Sequence, residues 1–160
     1  MRYMMKRKFW SWGDNFTIKD EHEQDAYSVR GKAFSWGDNL TIHDPAGREL
    51  ARISQTLMSW KPRYEIYRDG RRFAELVKEF SWFKQEFTLD VPGPNDYTII
   101  GSFWGHEYTF ERGGAVVARV SKKFWSLSDT YGIETIPGED DVAILATCVV
   151  IELVCQDQKE

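Results

Sequence analysis

The decapeptide SWGDNFTIKD at residues 11–20 returns 24 positions later as SWGDNLTIHD at residues 35–44, and eight of the ten positions are identical. Each copy contains an aromatic corner, a Gly-Asp-Asn turn and a segment in which apolar and polar residues alternate. A repeat of this length corresponds to one supersecondary unit, and alternation with period two is typical of a half-buried strand. The repeat therefore predicts an antiparallel meander built by repetition of one hairpin.

Weaker copies of the same pattern continue along the chain. The aromatic corners at Phe34, Phe80 and Phe124 are spaced by 46 and then 44 residues, and each interval has room for two hairpins. Asp-Gly and Gly-Gly pairs between the apolar runs supply the positive φ angles that tight turns require. The runs predict about twelve short strands, near residues 3–9, 15–19, 27–33, 39–43, 49–56, 63–67, 72–78, 85–90, 97–102, 106–110, 115–120 and 131–135.

The last part of the chain departs from the strand pattern. After Pro137 and Gly138, only Thr147 and Glu152 are polar between residues 142 and 155. Fourteen helical residues span about 21 Å, which is short of the roughly 30 Å of a bilayer core. The many β-branched residues leave a strand as the alternative, but the length of the segment favours a buried helix.

These two patterns together define the expected architecture. An antiparallel sheet that curls around an apolar helix buries the helix on every side and removes exposed strand edges. The sequence predicts a mainly β fold in one domain over residues 1–160: a closed antiparallel barrel of about twelve strands, built from repeated hairpins and enclosing a hydrophobic C-terminal α-helix. Val149 and Ile151 are expected to lie fully inside it. A propeller also fits a repeat near 45 residues, but fewer than four blades fit in 160 residues and none accommodates the helix.

Composition and charge limit the classes of function. The chain is 42% apolar and 15% aromatic, with a net charge of −4 and a pI near 5.5. No overall positive field therefore drives binding of nucleic acid. The basic N-terminus lacks the apolar core and cleavage site of a signal peptide, and Cys148 and Cys155 are expected to be inert, unbridged thiols. We therefore expect a cytoplasmic protein with no transmembrane segment.

Three features in a fixed order resemble one known family: the repeated hairpins with Phe-Ser-Trp corners, the stretch KPRYEIY at residues 61–67, and the final apolar helix. Together they resemble the LURP-one-related family, which belongs with the tubby C-terminal domains and the phospholipid scramblases. The resemblance covers nearly the whole chain and implies a barrel of twelve strands around a C-terminal helix. Tubby domains bind phosphoinositide head groups through basic residues and scramblases act on phospholipids, so on function the resemblance points to phospholipids.

The sequence contains no catalytic or metal-binding pattern. His22, His43 and His106 are isolated from one another and are expected on solvent-facing strands or loops. The acidic run at residues 138–141 lacks the alternating ligands of a calcium loop and is expected to cap the helix. No Ser stands in a nucleophile elbow, and no glycine-rich phosphate loop occurs. We expect no catalytic residue, no metal and no cofactor.

Basic residues are the feature of the sequence that indicates a function. Lys61 and Arg63 are two positions apart, so they share one face if the segment is a strand. The hairpin that follows adds Arg71 and Arg72, and guanidinium groups pair bidentately with phosphate oxygens. The predicted ligand-binding residues are therefore Lys61, Arg63, Arg71 and Arg72.

Three classes of function compete. The first is a nonenzymatic cytoplasmic barrel that binds anionic phospholipid or phosphoinositide head groups, or associates peripherally with membranes. The alternative is a protein–protein interaction scaffold that uses exposed aromatic and charged strands. A lipid-modifying enzyme is the third, but no set of residues supports it. Trp12, Trp36 and Trp82 are expected to fill equivalent corners of the barrel rather than to form a ligand-stacking row.

Overall fold

The protein folds into a series of β-strands followed by one long helix. The computed structural model describes residues 1–6, 15–31, 39–56, 63–79, 86–124 and 129–157. Helix α1 spans Asp141–Asp157, and a single turn of 3-10 helix spans Lys122–Phe124. The strands within the described ranges are β1 (Arg2–Lys6), β2 (Asn15–Asp20), β3 (Asp25–Arg30), β4 (Asn39–His43), β5 (Glu49–Gln55), β6 (Arg63–Arg68), β7 (Arg71–Glu79), β8 (Glu86–Asp90), β9 (Tyr97–Ser102), β10 (Glu107–Arg112), β11 (Ala115–Ser121) and β12 (Thr130–Thr135).

The strands form one closed antiparallel barrel. Each strand pairs with the next one along the chain, and β1 pairs with β12 to close the sheet, with Tyr3 opposite Ile133. Every predicted strand overlaps an observed one. The prediction of a closed antiparallel barrel of about twelve strands is therefore confirmed.

The barrel has two rims, because alternate connections of an antiparallel meander lie at the same end. Tyr3 contacts the first turn of α1 through Asp141, whereas His106 contacts its last turns through Glu152. We call the end where α1 begins the helix-N rim; it carries the turns at residues 21–24, 44–48, 69–70, 91–96, 113–114 and 136–140. At the opposite end, which we call the helix-C rim, β1, β3, β5, β7, β9 and β11 end.

Helix α1 is buried on every side. From Ala143 to Ile151, no residue is more than 1% exposed. Nine consecutive residues cover all faces of a helix with 3.6 residues per turn, so the cover has to come from the surrounding barrel. The predicted enclosed helix is confirmed, as is the full burial of Val149 and Ile151. Within the described residues, no helix has the length and hydropathy of a membrane span.

The start of α1 is capped as the acidic sequence predicted. The Asp140 carboxylate accepts a hydrogen bond from the Ala143 amide at 3.2 Å, and its carbonyl accepts one from Ile144 at 3.1 Å. A side-chain oxygen at this position satisfies an amide that the helix itself leaves unpaired. Asp140 also forms an ion pair with Arg68, which ties the helix start to the end of β6.

A second carboxylate links the helix-N rim to β9 and β10. Glu139 accepts two hydrogen bonds from the Arg112 guanidinium, at 2.5 and 2.9 Å, and one from the Tyr97 hydroxyl at 2.8 Å. The Glu139 side chain is only 3% exposed. This carboxylate therefore depends on its partners for solvation, and the network fixes how the helix enters the barrel.

The placement of His106 corrects the sequence analysis. His106 was expected to face solvent, but it is 8% exposed, and its Nε2 lies 2.6 Å from the Glu152 carboxylate. Its ring lies against Tyr131, with centroids 4.6 Å apart. Glu152 is the charged residue of an otherwise apolar stretch of helix, and a buried carboxylate requires a polar partner. The histidine supplies that partner, so its role is to join the β9–β10 turn to the helix.

Buried tyrosine hydroxyls and a buried cysteine thiol make the stability of the fold depend on pH in the alkaline range. Burial raises the pKa of Tyr97 to about 12 and that of the Cys148 thiol to about 12, and it raises the pKa of Tyr108 and Tyr131 well above 10.0. Between the unfolded and folded pKa of such a group, the folded state binds more protons, so stability falls as pH rises.

We therefore expect the free energy of unfolding to decrease above about pH 9, where the unfolded cysteine ionises, and more steeply above about pH 10, where the unfolded tyrosines ionise. Each group contributes about 1.4 kcal/mol per pH unit between its unfolded and its folded pKa. Urea unfolding at successive pH values measures this slope, and tyrosine absorbance follows ionisation in the same samples. A constant free energy of unfolding up to about pH 11 would contradict the burial of these groups.

Candidate functional site

A groove crosses the outer face of the barrel and opens at the helix-C rim. It has a volume of about 880 Å³, within the range of about 300–1,000 Å³ that is common for ligand sites. The strand register defines the row of residues at the centre of the groove. Thr109 on β10 lies between Ile100 on β9 and Arg119 on β11. The residues that line the groove are Ile100, Gly101, Ser102, Phe103, Trp104, Glu107, Tyr108, Thr109, Arg119, Val120, Ser121, Lys123 and Phe124.

Gly101 brings two walls of the groove together. Its φ is +139°, and a Cβ at this position would lie 2.5 Å from the Glu107 carbonyl oxygen and 2.7 Å from Tyr108 Cα. Both contacts are with backbone atoms, which cannot move aside as a flexible side chain can. Only glycine allows β9 and β10 to approach this closely where the groove opens.

Aromatic rings are held at the rim end of the groove. Phe103 is 2% exposed and packs edge-on against Phe87 with centroids 4.9 Å apart, so it anchors the β9–β10 turn that carries Trp104. On the other side, Phe124 lies over Gly132, where an added Cβ would be 2.4 Å from Phe124 Cβ. Arg2 lies 5.3 Å from the centroid of the Phe124 ring. The rings of Phe103 and Phe124 are therefore held in position by the residues against which they pack.

Hydrogen bonds fix the 3-10 turn beside the groove. The Glu107 carboxylate accepts from the Ser121 hydroxyl at 2.9 Å and from the Lys122 amide at 3.1 Å. The Ser121 hydroxyl oxygen in turn accepts from the Lys123 amide at 3.1 Å. The backbone of Lys123 is therefore held in place although its side chain is exposed.

Two positive charges that line the groove have no carboxylate partner among the residues that the structure describes. Arg119 and Lys123 are exposed, and neither side chain forms an ion pair or hydrogen bond within the described part of the chain. The carboxylate opposite Arg119 in the sheet belongs to Glu134, which pairs with Arg2 at 2.6 Å. A guanidinium and an ammonium that no described carboxylate compensates, beside aromatic rings, are suited to an anion with an apolar part.

Three of the four residues that the sequence predicted as a binding site, Arg63, Arg71 and Arg72, lie within the described residues. Lys61 lies outside the described residues. Arg63 and Arg72 both pair with Glu75, at 2.6 and 2.5 Å, and the Glu75 side chain is 15% exposed. One carboxylate therefore already balances part of their charge.

The fourth predicted residue lies at the other end of the hairpin. Arg71 is opposite Arg68 at the helix-N rim, whereas Arg63 is opposite Val77. Six residues of strand separate Arg71 from Val77, which corresponds to about 20 Å. The structure therefore brings Arg63 and Arg72 together and places Arg71 at a distance from Arg63.

A closed antiparallel barrel of twelve strands with a helix buried along its interior defines the class of this protein. The chain belongs to the LURP-one-related family, whose model matches residues 1–152. Membership confirms the resemblance that was inferred from the hairpin repeats and the final helix.

Two individual proteins are similar to this chain. It is 35% identical over 156 residues to the uncharacterized protein YxjI of Bacillus subtilis strain 168, an alignment that covers 98% of this chain and 94% of YxjI. The X-ray structure of protein AT5G01750 from Arabidopsis thaliana superimposes with a TM-score of 0.67 and 15% sequence identity, covering 99% of this chain and 91% of the plant protein. The second similarity supports the fold alone.

Proposed function

We propose that this protein is a nonenzymatic binding barrel that associates peripherally with membranes by holding the head group of an anionic phospholipid in the groove of β9, β10 and β11. The observation that carries this proposal is a pair of cations, Arg119 and Lys123, that have no partner among the described residues and lie beside a groove lined by Trp104 and Phe124. Cys148 and Cys155 carry thiols rather than a disulfide, which is consistent with a cytoplasmic protein.

The charges of the groove match a phosphate-bearing head group. Arg119 offers a planar fork of donors for two phosphate oxygens, and Lys123 adds a compact positive charge on a flexible stem. Glu107, the carboxylate in the groove, is occupied by Ser121 and the Lys122 amide. An anionic ligand therefore meets Arg119 and Lys123 donors that no described residue occupies.

The apolar lining supports a lipid rather than a free phosphate. Ile100 and the rings of Trp104 and Phe124 offer contact to a glycerol backbone and the first part of an acyl chain. Tryptophan is favoured where an apolar region meets polar head groups, because its ring is amphipathic. The resemblance to tubby domains and scramblases points to the same class of ligand.

Binding rather than catalysis is proposed because the lining residues of the groove include no serine–histidine or cysteine–histidine pair. The thiol of Cys148 is fully buried on α1, and burial raises its pKa to about 12, which keeps it protonated. Ser102 and Ser121 line the groove, but no histidine stands among the lining residues to activate them.

Cosedimentation with vesicles tests this function. We expect wild-type protein to bind vesicles that contain phosphatidylglycerol or phosphatidylserine, to bind phosphatidylcholine vesicles weakly, and to dissociate as salt is raised. The variant Arg119→Ala/Lys123→Ala should bind anionic vesicles about thirtyfold more weakly, because each basic residue near an anionic surface contributes about 1 kcal/mol.

The matched control is Arg71→Ala/Arg72→Ala, which removes the same charge from the hairpin predicted by sequence. We expect this control to retain most of the binding. A loss confined to the hairpin variant would move the head-group site to Arg71 and Arg72. Absence of wild-type binding even at low ionic strength would reject the lipid proposal and favour the interaction scaffold.

A further inference from the structure

The charged side chains that line the groove alternate in sign. Arg119 and Lys123 are positive, and Glu107 is negative. Ser121 lies two positions after Arg119 on β11 and two positions before Lys123 on the 3-10 turn. The Ser121 hydroxyl donates to the Glu107 carboxylate at 2.9 Å, so Glu107 is held between the two cations. The groove therefore presents a positive, a negative and a positive charge in that order.

One oxygen of the Glu107 carboxylate is open to a ligand. The hydrogen bonds from the Ser121 hydroxyl and the Lys122 amide both end on Oε1. Oε2 accepts no hydrogen bond from any residue that the structure describes, and Glu107 is exposed in the groove. A carboxylate oxygen that is fixed in place and open to a ligand is a strong acceptor for an ammonium donor.

The charges of a serine head group match this order. Its ammonium is bonded to the carbon that joins the phosphate arm to the carboxylate, so a positive charge lies between two negative ones. Arg119 and Ser121 are separated by two residues of strand, which correspond to about 7 Å. The long side chains of Arg119 and Lys123 can close around a head group of this size from either side of Glu107.

We propose that the groove selects phospholipids with a serine head group, which Arg119 binds at the phosphate, Glu107 Oε2 at the ammonium and Lys123 at the carboxylate. This assignment rests on the proposed function and names its ligand. Arg119 takes the phosphate because it lies in the strand row that contains Ile100, which the proposed function places against the glycerol backbone.

Other phosphate-bearing groups leave part of the groove without a partner. The head group of phosphatidylglycerol ends in neutral hydroxyls, so Glu107 gains no cation. That of phosphatidylethanolamine has no carboxylate for Lys123, and the choline of phosphatidylcholine has no N–H to donate to Glu107. A phosphoserine within a peptide is unsuitable as well, because its amine and its carboxyl group are uncharged amides.

Two soluble lipids of equal net charge test the selection. Isotope-labelled protein is titrated with dihexanoyl phosphatidylserine and with dihexanoyl phosphatidylglycerol below their micelle concentrations, and dissociation constants are taken from the amide shifts. We expect wild-type protein to bind the serine lipid about tenfold more tightly, because only this lipid brings a cation to Glu107. Glycerophosphoserine, which has no acyl chains, separates the lipid from a soluble source of the same head group, and we expect it to bind more weakly than the lipid.

Glu107→Gln is the test variant, since the amide oxygen can still accept from Ser121 and Lys122 while the negative charge is lost. Glu111→Gln is the matched control, because Glu111 lies on the same outer face of β10 but does not line the groove. The preference for serine over glycerol should fall to about one in Glu107→Gln and persist in Glu111→Gln. A thermal melt of each variant checks that the fold is retained.

Equal wild-type affinity for the two lipids, or a preference that survives in Glu107→Gln, would overturn the serine assignment and leave the proposed function intact. Binding of glycerophosphoserine as tight as that of the lipid would overturn a lipid as the source of the head group. Failure of both lipids to bind would overturn the proposed function, and the serine assignment with it.

Discussion

Replacement of Val149 by aspartate is expected to abolish folding. Val149 is completely buried in the middle of α1, with barrel wall on every side. An unpaired carboxylate there costs several kcal/mol, which is a large part of the roughly 5–15 kcal/mol that stabilise a typical domain. We expect Val149→Asp to lose the cooperative thermal transition seen by circular dichroism, or to accumulate in the insoluble fraction.

Val77→Asp is the matched control for this experiment. Val77 lies half-buried on the outer face of β7, opposite Arg63, so an introduced carboxylate there remains in contact with water and near a positive charge. We expect this control to melt within a few degrees of the wild type. A Val149→Asp protein that melts like the control would show that the helix is not enclosed.

Replacement of Glu139 by alanine is expected to cost about 3 kcal/mol of unfolding free energy, the low end of the range for breaking a buried ion pair. The low end applies because Arg112 is 34% exposed and can turn partly to water, whereas the Tyr97 hydroxyl loses its acceptor. The substitution also frees the segment that leads into α1 from Arg112 and Tyr97. Urea unfolding followed by circular dichroism measures the difference.

Glu134→Ala removes an arginine ion pair of similar length from the barrel surface. Its partner is Arg2 at 2.6 Å, but the two side chains are 52% and 39% exposed. Exposed pairs contribute about 1 kcal/mol or less, so this control should be nearly as stable as the wild type. Equal losses in the two variants would show that burial of Glu139 adds nothing to its ion pair.

Strands and helix were predictable because their signals are local. The alternation in each hairpin and the turn chemistry between hairpins specify strands without knowledge of the rest of the chain. The apolar run from Val142 to Cys155 likewise indicates burial on all sides, and only a surrounding barrel satisfies it together with the strands. The order of these parts was enough to recognise the family.

His106 and the groove were missed because they depend on contacts between distant residues. The apolar run around Glu152 indicates that this carboxylate needs a buried partner, but it does not select His106 from the three histidines. Arg119, Ile100 and Thr109 become neighbours only through the register of three strands. A glycine inside the β9 pattern was the available signal, because such a glycine indicates close backbone approach.

The binding site that was predicted at Lys61, Arg63, Arg71 and Arg72 shows a related limit of prediction from sequence. Same-face spacing correctly places Arg63 outward on a strand, but it does not reveal which group stands on the next strand. Glu75 occupies that place and pairs with both Arg63 and Arg72. The predictions for Trp12, Trp36, Trp82 and Lys61 remain predictions, because these residues lie outside the described part of the chain.

The most direct test of the proposed head-group site is to map the binding of a soluble anionic phospholipid to the protein by nuclear magnetic resonance. Isotope-labelled protein is titrated with a short-chain phosphatidylglycerol below its micelle concentration, and the short-chain phosphatidylcholine serves as the control. We predict saturable amide shifts concentrated at Ile100, Thr109, Arg119 and Lys123 with the anionic lipid alone. Shifts centred on Arg71 and Arg72, or no saturable shifts at all, would contradict the assignment of the groove as the head-group site.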